Sequence, residues 1–232
     1  MIPTVDIIDT LLAGFNPKLK IKNVVDNLDG TVTITVCEPL NLRLGLTFTL
    51  NSVVYTVIAI DGNDITYTTA VLPVKGDYVY PTKPFYFHGT PIATNNQLST
   101  INLHSSKLPM VYLIELLKDK FILDKDSAID RESTVRLFFL DEANFADWDT
   151  DQHYALNIVP QANYALAFIE YLKNHAMVGL ITGEAELTYY AKFGLSVTQN
   201  GVTKNLFNEQ LSGVDFTITI PITKDLTLCT CN

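Results

Sequence analysis

Asp147-Trp148-Asp149-Thr150-Asp151 sets carboxylates at alternate positions, as the start of an EF-hand loop does. A hard cation needs several oxygen ligands converging from one loop. The pattern then stops: the sixth position holds Gln152 where Gly is needed, and the twelfth holds Ile158 where a bidentate Glu is needed. Asp147, Asp149 and Asp151 are therefore weak metal candidates, and no metal or other cofactor is expected. With His153 added, the same residues form the donor set of a hypothetical metal-assisted hydrolase. A solvated acidic loop, or an interface loop anchored by Trp148, fits the spacing better.

The other reactive side chains are scattered. Asp141-Glu142 and Glu184/Glu186 are paired acids of the kind used in general acid–base work, but nothing sets either pair across a cleft. His88, His104, His153 and His175 share no motif, and neither a Gly-x-Ser-x-Gly elbow nor a Walker-type loop is present. Gln199-Asn200-Gly201 reads as a hairpin turn. Cys37, Cys229 and Cys231 are an odd set. Cys229-Thr230-Cys231 has the spacing of a metal clip or an exposed disulfide, yet no second Cys or His pair stands at zinc spacing, so reduced thiols are expected. The expectation is a protein that is not an enzyme.

Binding chemistry is better represented. Lys18, Lys20 and Lys22 alternate and so share one face, either blunting an edge strand or meeting an acidic partner. Tyr78, Tyr80, Phe85-Tyr86-Phe87 and Tyr189-Tyr190 supply rings for a core, an interface or a carbohydrate platform. The net charge of −9 argues against a nucleic-acid reader, but it suits a surface past which DNA slides without sticking. No apolar run approaches the ~18 residues a membrane helix needs. Met1 to Phe15 has no basic residue, so no signal peptide or membrane partner is expected.

These groups must be held by elements. Pro3 to Ala13 reads as a short helix with Val5, Ile8, Leu11 and Leu12 on one face and Gly14 as its cap. Ile21 to Val25 and Val32 to Cys37 flank Asp29-Gly30, a hairpin signal. Strands follow at Leu46 to Leu50, Val53 to Ile60 and Ile65 to Thr69, which implies a small barrel or sandwich. Phe85 to Phe87 is a further strand, kept from a central place by its neighbouring prolines. Met110 to Leu117 fits a helix or a buried strand. Thr134 to Leu140 reads as a central strand, Asp141 to Tyr154 as an acidic loop with one helical turn, and Pro160 to His175 as a helix with Ala162, Ala165, Leu166, Ile169 and Leu172 inward. Ala185 to Ala191 and Leu195 to Val197 are strands. Val202 to Gly213 is a long polar loop. Val214 to Ile222 alternates without a break, which puts Val214, Phe216, Ile218, Ile220 and Ile222 on one face. The expected fold class is α+β: residues 1–92 form an N-terminal helix and small β-barrel or sandwich, and residues 93–232 an α/β sandwich with a mainly antiparallel sheet.

The second half also carries a resemblance. Pro109-Met110-Val111-Tyr112-Leu113-Ile114-Glu115, Val135-Arg136-Leu137-Phe138-Phe139-Leu140 and Asn144-Phe145-Ala146-Asp147-Trp148 resemble stretches of virion proteins of tailed bacteriophages, with crAss-like phages of Bacteroidetes hosts giving the nearest likeness. Tyr190-x-x-Phe193-Gly194, Asn200-Gly201 and the run from Lys204 to Val214 are similar to the terminal strands of tail-completion, or tail-terminator-like, neck proteins. The likeness covers roughly residues 93–232. It implies a structural subunit of a head-to-tail connector or tail-completion ring, in six or twelve copies, between portal and tail proteins, with DNA passing through the lumen. It implies a virion location after assembly in the bacterial host cytoplasm, and no catalytic residues to carry over. Loops and a terminal helix reach neighbours in such rings, so Phe15, Trp148, Leu206, Phe207, Gln210 and Leu211 are the expected subunit-interface residues. The rival reading is a glycan- or peptide-binding β module of a phage tail, using Tyr78 to Phe87.

Overall fold

The computed structural model describes residues 3–101, 107–114, 118–124, 126–197 and 203–223. By contacts the chain divides into two compact units: Asn16–Pro84, and Met1–Phe15 together with Phe85–Asn232. The composition-based cut at residue 92 keeps the first helix with the β strands. Contacts group that helix, and the chain from Phe85 onward, with the C-terminal unit.

The smaller unit is a curled antiparallel half-barrel of seven strands. Its strands are β1 (Leu19–Lys20), β2 (Asn23–Asp26), β3 (Thr31–Thr35), β4 (Thr47–Leu50), β5 (Val53–Asp61), β6 (Asp64–Thr68) and β7 (Tyr78–Pro81), in the order β1-β7-β4-β5-β6-β3-β2. Turn chemistry sets the hairpins. At the β2–β3 turn Asp29 Oδ1 accepts from Thr31 N at 2.9 Å, while Asn51 and Ser52 both take positive φ between β4 and β5, as a two-residue turn matching strand twist requires. The two end strands are consecutive in sequence, separated only by Ile21 and Lys22. Ile21 N donates to Asp77 O, and Lys22 N to Thr35 O. One run of chain therefore carries both edges of the sheet. Val32, Ile34, Phe48, Val57, Ile65, Tyr67 and Val79 fill the concave side, and each fully buried apolar side chain contributes about 1.5–3 kcal/mol.

The larger unit is a mixed six-stranded sheet with helices. The chain enters by α1 (Thr4–Gly14) and returns at β8 (Phe85–Gly89), α2 (Pro91–Thr100), β9 (Met110–Ile114), β10 (Lys118–Phe121) and β11 (Ile129–Glu142). β8 and β9 are parallel, so α2 is the crossover between them. Thr90 caps α2 by accepting from Ala93 N, and Pro91 opens its first turn. β9 and β10 share one side of β11, pairing with its second and first halves. Met110, Val111, Tyr112 and Leu113 are all buried; covered on both faces, the segment has no visible period, and it is a strand.

After β11 come α3 (Thr150–His153), a π-helical turn (Tyr154–Ile158) and α4 (Val159–Lys173), which run as one 24-residue helix. The helical turn expected within Asp141 to Tyr154 is α3, capped by Asp149, and it continues into α4 rather than standing alone in a loop. Hydrogen bonding in the π turn places Asn157 inward, its Nδ2 donating to Glu142 O at 2.7 Å. The buried stripe of α4 is Gln161, Ala162, Tyr164, Ala165, Phe168, Ile169 and Leu172. Leu166, expected inward, is exposed, because the large rings Tyr164 and Phe168 take the inner face against Phe139.

The chain closes with β12 (Glu186–Phe193), β13 (Leu195–Val197), β14 (Thr203–Asn205) and β15 (Leu211–Thr223). The sheet order is β12-β15-β11-β9-β8, with β10 beside β11. Val214, Phe216, Ile218, Ile220 and Ile222 are all buried, as their alternation predicts. The expected polar loop after Val202 is another matter: β13 and β14 pair as a hairpin, Leu211 to Gly213 belong to β15, and Phe207 enters a core cluster with Phe87, Leu98, Tyr112, Phe138 and Leu140. That cluster covers the face of the sheet opposite α4.

Gly213 shows how tightly β15 is held. Its φ is +151°, and an added Cβ would overlap the Phe139 carbonyl oxygen across the ladder. Only glycine fits that register.

Candidate functional site

The residues with chemistry gather at the N-terminal end of α3. Asn144 Oδ1 accepts from Ala146 N at 3.2 Å and Asp147 N at 3.3 Å, an Asx-type turn that swings the chain toward Trp148. Asp147 Oδ2 accepts from Asn144 Nδ2 at 2.7 Å. Asp149 and Gln152 form a capping box: Asp149 Oδ1 accepts from Gln152 N at 2.8 Å, and Asp149 N donates to Gln152 Oε1 at 3.2 Å. The alternate acids thus have separate tasks, and Asp149 does the work of an N-cap. Among the described residues no three His, Cys, Asp or Glu side chains gather as a metal site.

His153 lies in the same turn and reaches inward. Its Nε2 is 2.9 Å from Ser212 Oγ, and its ring packs against Phe145 and Trp148. Burial holds its pKa below the ordinary imidazole value. Asp141 stands opposite Ser212 in the β11–β15 ladder, so Ser, His and Asp do meet at one end of the sheet. A serine nucleophile must touch its substrate, and Ser212 is fully buried, as is Asp141. The arrangement anchors the start of the helix to the sheet. Asp141 and Glu142, adjacent on one strand, point to opposite faces, one buried and one exposed, so they do not form an acid pair. Glu184 and Glu186 are both exposed.

A second polar cluster lies on the face away from α4. Arg136 Nε donates to Asp215 Oδ2 and its Nη2 to Tyr190 Oη, with the guanidinium 4.9 Å from the Phe138 ring centroid. The hydrogen bond that Arg136 donates to Asp215 is the main cause that raises the Arg136 pKa further. Asp215, a polar position expected to face solvent, is only 1 % exposed, because Arg136 and Tyr190 close over it. Neither this pair nor the Ser212–His153 contact has a local sequence signal, since their partners lie 79 and 59 residues apart.

A recess of about 290 Å³ lies among α1, β8 and α2, lined by Val5, Asp6, Asp9, Tyr86, His88 and Gln97. Tyr86 Oη donates to Val5 O at 3.2 Å; burial, then Asp9 and Asp6, push its pKa up. His175 follows α4, its Nδ1 accepting from Met177 N. His104, Cys229 and Cys231 lie outside the described residues, and Cys37 is an exposed free thiol.

The expected interface residues divide into two groups. Phe15 is buried at 4 % exposure, its ring 5.2 Å from Tyr164 and 5.3 Å from both Phe168 and Tyr171. Phe207 and Leu211 sit in the buried cluster with Phe87, Leu98, Tyr112 and Phe138. The surface of these three is covered within the chain itself. Trp148 is half-buried, stacked on His153, while Leu206 and Gln210 are exposed. Of the aromatic residues that the rival binding-module reading uses, Tyr78 and Tyr80 stand on β7 and Phe85 to Phe87 on β8.

Charge is also divided. Lys18, Lys20, Lys22, Arg43, Lys75 and Lys83 balance Asp26, Asp29, Glu38, Asp61, Asp64 and Asp77 in the smaller unit, so the larger unit carries the whole formal charge of −9. Lys18, Lys20 and Lys22 are exposed and alternate with buried Leu19 and Ile21; the Lys18 ammonium lies 4.9 Å from the Tyr78 ring centroid. No protein-family model, curated protein or solved structure matches the chain.

Proposed function

We propose that the protein is a structural subunit of a tailed-phage virion, forming a ring at the head-to-tail connector or tail-completion position through which DNA passes. The observation that carries the self-assembly reading is the outer face of the long helix. Val159 and Leu166, seven residues apart, stand exposed there, with Tyr154 and Leu156 exposed on the π turn before them, although the opposite face fills a well-packed core. Large apolar side chains grouped on a surface are suited to partner contact, and a heterologous contact that closes by rotation makes a ring. The virion assignment is supported by the likeness of residues 93–232 to neck proteins. The acidic larger unit suits a wall that DNA passes without adhering. Electron microscopy of the purified protein tests the proposal. Rings of one defined symmetry are expected; a protein that stays monomeric at about 100 μM, well above the micromolar range of ordinary specific contacts, and binds neither portal nor tail proteins, refutes it.

A further inference from the structure

We infer that the lysine-rimmed apolar tip of the smaller unit docks onto the acidic outer face of α3 and α4 in a second copy of this chain. The inference rests on the ring reading above and names the contact that would build it.

The tip is formed by the connection between β6 and β7. Thr69 N donates to Gly30 O at the β2–β3 turn, and Gly76 N donates to Ile21 O at the other end of β2. Residues 69–76 therefore link the β2–β3 turn to the chain just before β2. Leu28 at the turn is 89 % exposed, and on the connection Val71 is 73 %, Leu72 51 % and Val74 67 % exposed. Lys20, Lys22 and Lys75 border an open recess at the Ile21 end. None of the three lysines has a neutralising partner among the described residues. An edge strand with exposed aliphatic side chains invites unwanted pairing unless something covers it.

The complementary surface is on the larger unit. Asp147 and Asp151 are exposed at the start of the long helix, and Leu156, Val159 and Leu166 continue the same outer surface. One surface is apolar with three lysines at its Ile21 end and Asp26 and Asp29 beside Leu28 at the other. The second is apolar with Asp147 and Asp151 at the helix start, and it is the lysine end that complements those carboxylates. Opposite rims around apolar centres guide encounter and fix register. A second copy is favoured over an anionic lipid surface because the larger unit brings all nine net negative charges with it, and these oppose approach to such a surface. The two faces lie on different units, so the contact is heterologous and leaves one copy with a free helix face and the other with a free tip, from which the chain of contacts can continue.

The test uses two full-length double variants, Lys22→Glu/Lys75→Glu and Asp147→Lys/Asp151→Lys, whose altered positions are all exposed, with circular dichroism as the folding check. Sedimentation velocity is run on each alone and on an equimolar mixture. Each variant alone should associate roughly tenfold or more weakly than the parent, as expected for like charges brought together. The mixture should recover parental association, because the reversed charges then face each other; a misfolded variant would give no such recovery. If the parent forms rings and both variants form them equally well, the docking contact is wrong and the ring reading stands. If the parent itself remains monomeric, both fall. If vesicles of mixed phosphatidylserine and phosphatidylcholine retain the parent but not Lys22→Glu/Lys75→Glu, and the mixture does not associate, the tip serves a membrane and the inference is overturned.

Discussion

Replacing Phe15 by Ala separates two uses of one ring. The ring lies edge-on to Tyr164 and Phe168 and tilted to Tyr171, so it fastens the end of α1 to α4. A buried Phe covers about 150 Å² or more; at about 25 cal/mol per Å² its loss removes roughly 4 kcal/mol, inside the ~3–5 kcal/mol range of Phe-to-Ala core changes. That is nearly a thousandfold in the folding equilibrium. With a urea slope of about 2 kcal/mol/M, the midpoint should fall by about 2 M. The chain has one tryptophan, Trp148, and it lies in the larger unit, so its fluorescence follows that unit without interference from the half-barrel. Leu12→Ala, at a half-buried position on the same helix, serves as a mild control. An unchanged midpoint combined with lost self-association would refute the packing argument and return Phe15 to the subunit interface.

Gly213→Ala should cost more than about 3 kcal/mol, from the glycine-only backbone conformation and the overlap with the Phe139 carbonyl; soluble protein with a parental thermal midpoint would count against it. His153 should make stability depend on pH. Its pKa is depressed in the folded protein by burial, so the unfolded chain takes up a proton first as pH falls below about 6.5, and stability drops until the folded-state pKa is passed. The difference in urea midpoint between the parent and His153→Gln should therefore change between pH 7.5 and 5.5, with the parent losing more; parallel curves would show that the imidazole is not desolvated beside Ser212 and the Trp148 ring.

Local pattern revealed those elements whose environment has two sides. β15 was legible because Thr217 and Thr219 meet solvent while Phe216, Ile218 and Ile220 meet the core. The β2–β3 hairpin was legible because Asp29-Gly30 makes its turn from its own side chain and backbone. Legibility failed where distant chain supplies the second surface. Asp215 reads as an outward residue until Arg136 and Tyr190 arrive from two other strands. Phe207 reads as an exposed loop anchor until the sheet provides a pocket beneath it. Helical spacing alone turns Leu166 inward on α4, because spacing cannot say which side has rings to meet. At the site, the order of acids around Trp148 was visible, but Asp149 as a cap and His153 bonded to Ser212 needed the helix to begin ten residues before Pro160.

The half-barrel interrupts the larger unit in sequence, and this governs how the chain is made. The ribosome releases α1 first, while its ring partners Tyr164, Phe168 and Tyr171 follow about 150 residues later. At ~5–20 residues per second that is a wait of roughly 8–30 s. Asn16–Pro84 is complete early and has its own core, so it can condense during the delay and shorten the floppy tether that holds α1 back. Synthesis speed through the second half thus sets how long Ile7, Ile8, Leu11 and Phe15 stay open to capture by chaperones or by sister chains on the same messenger.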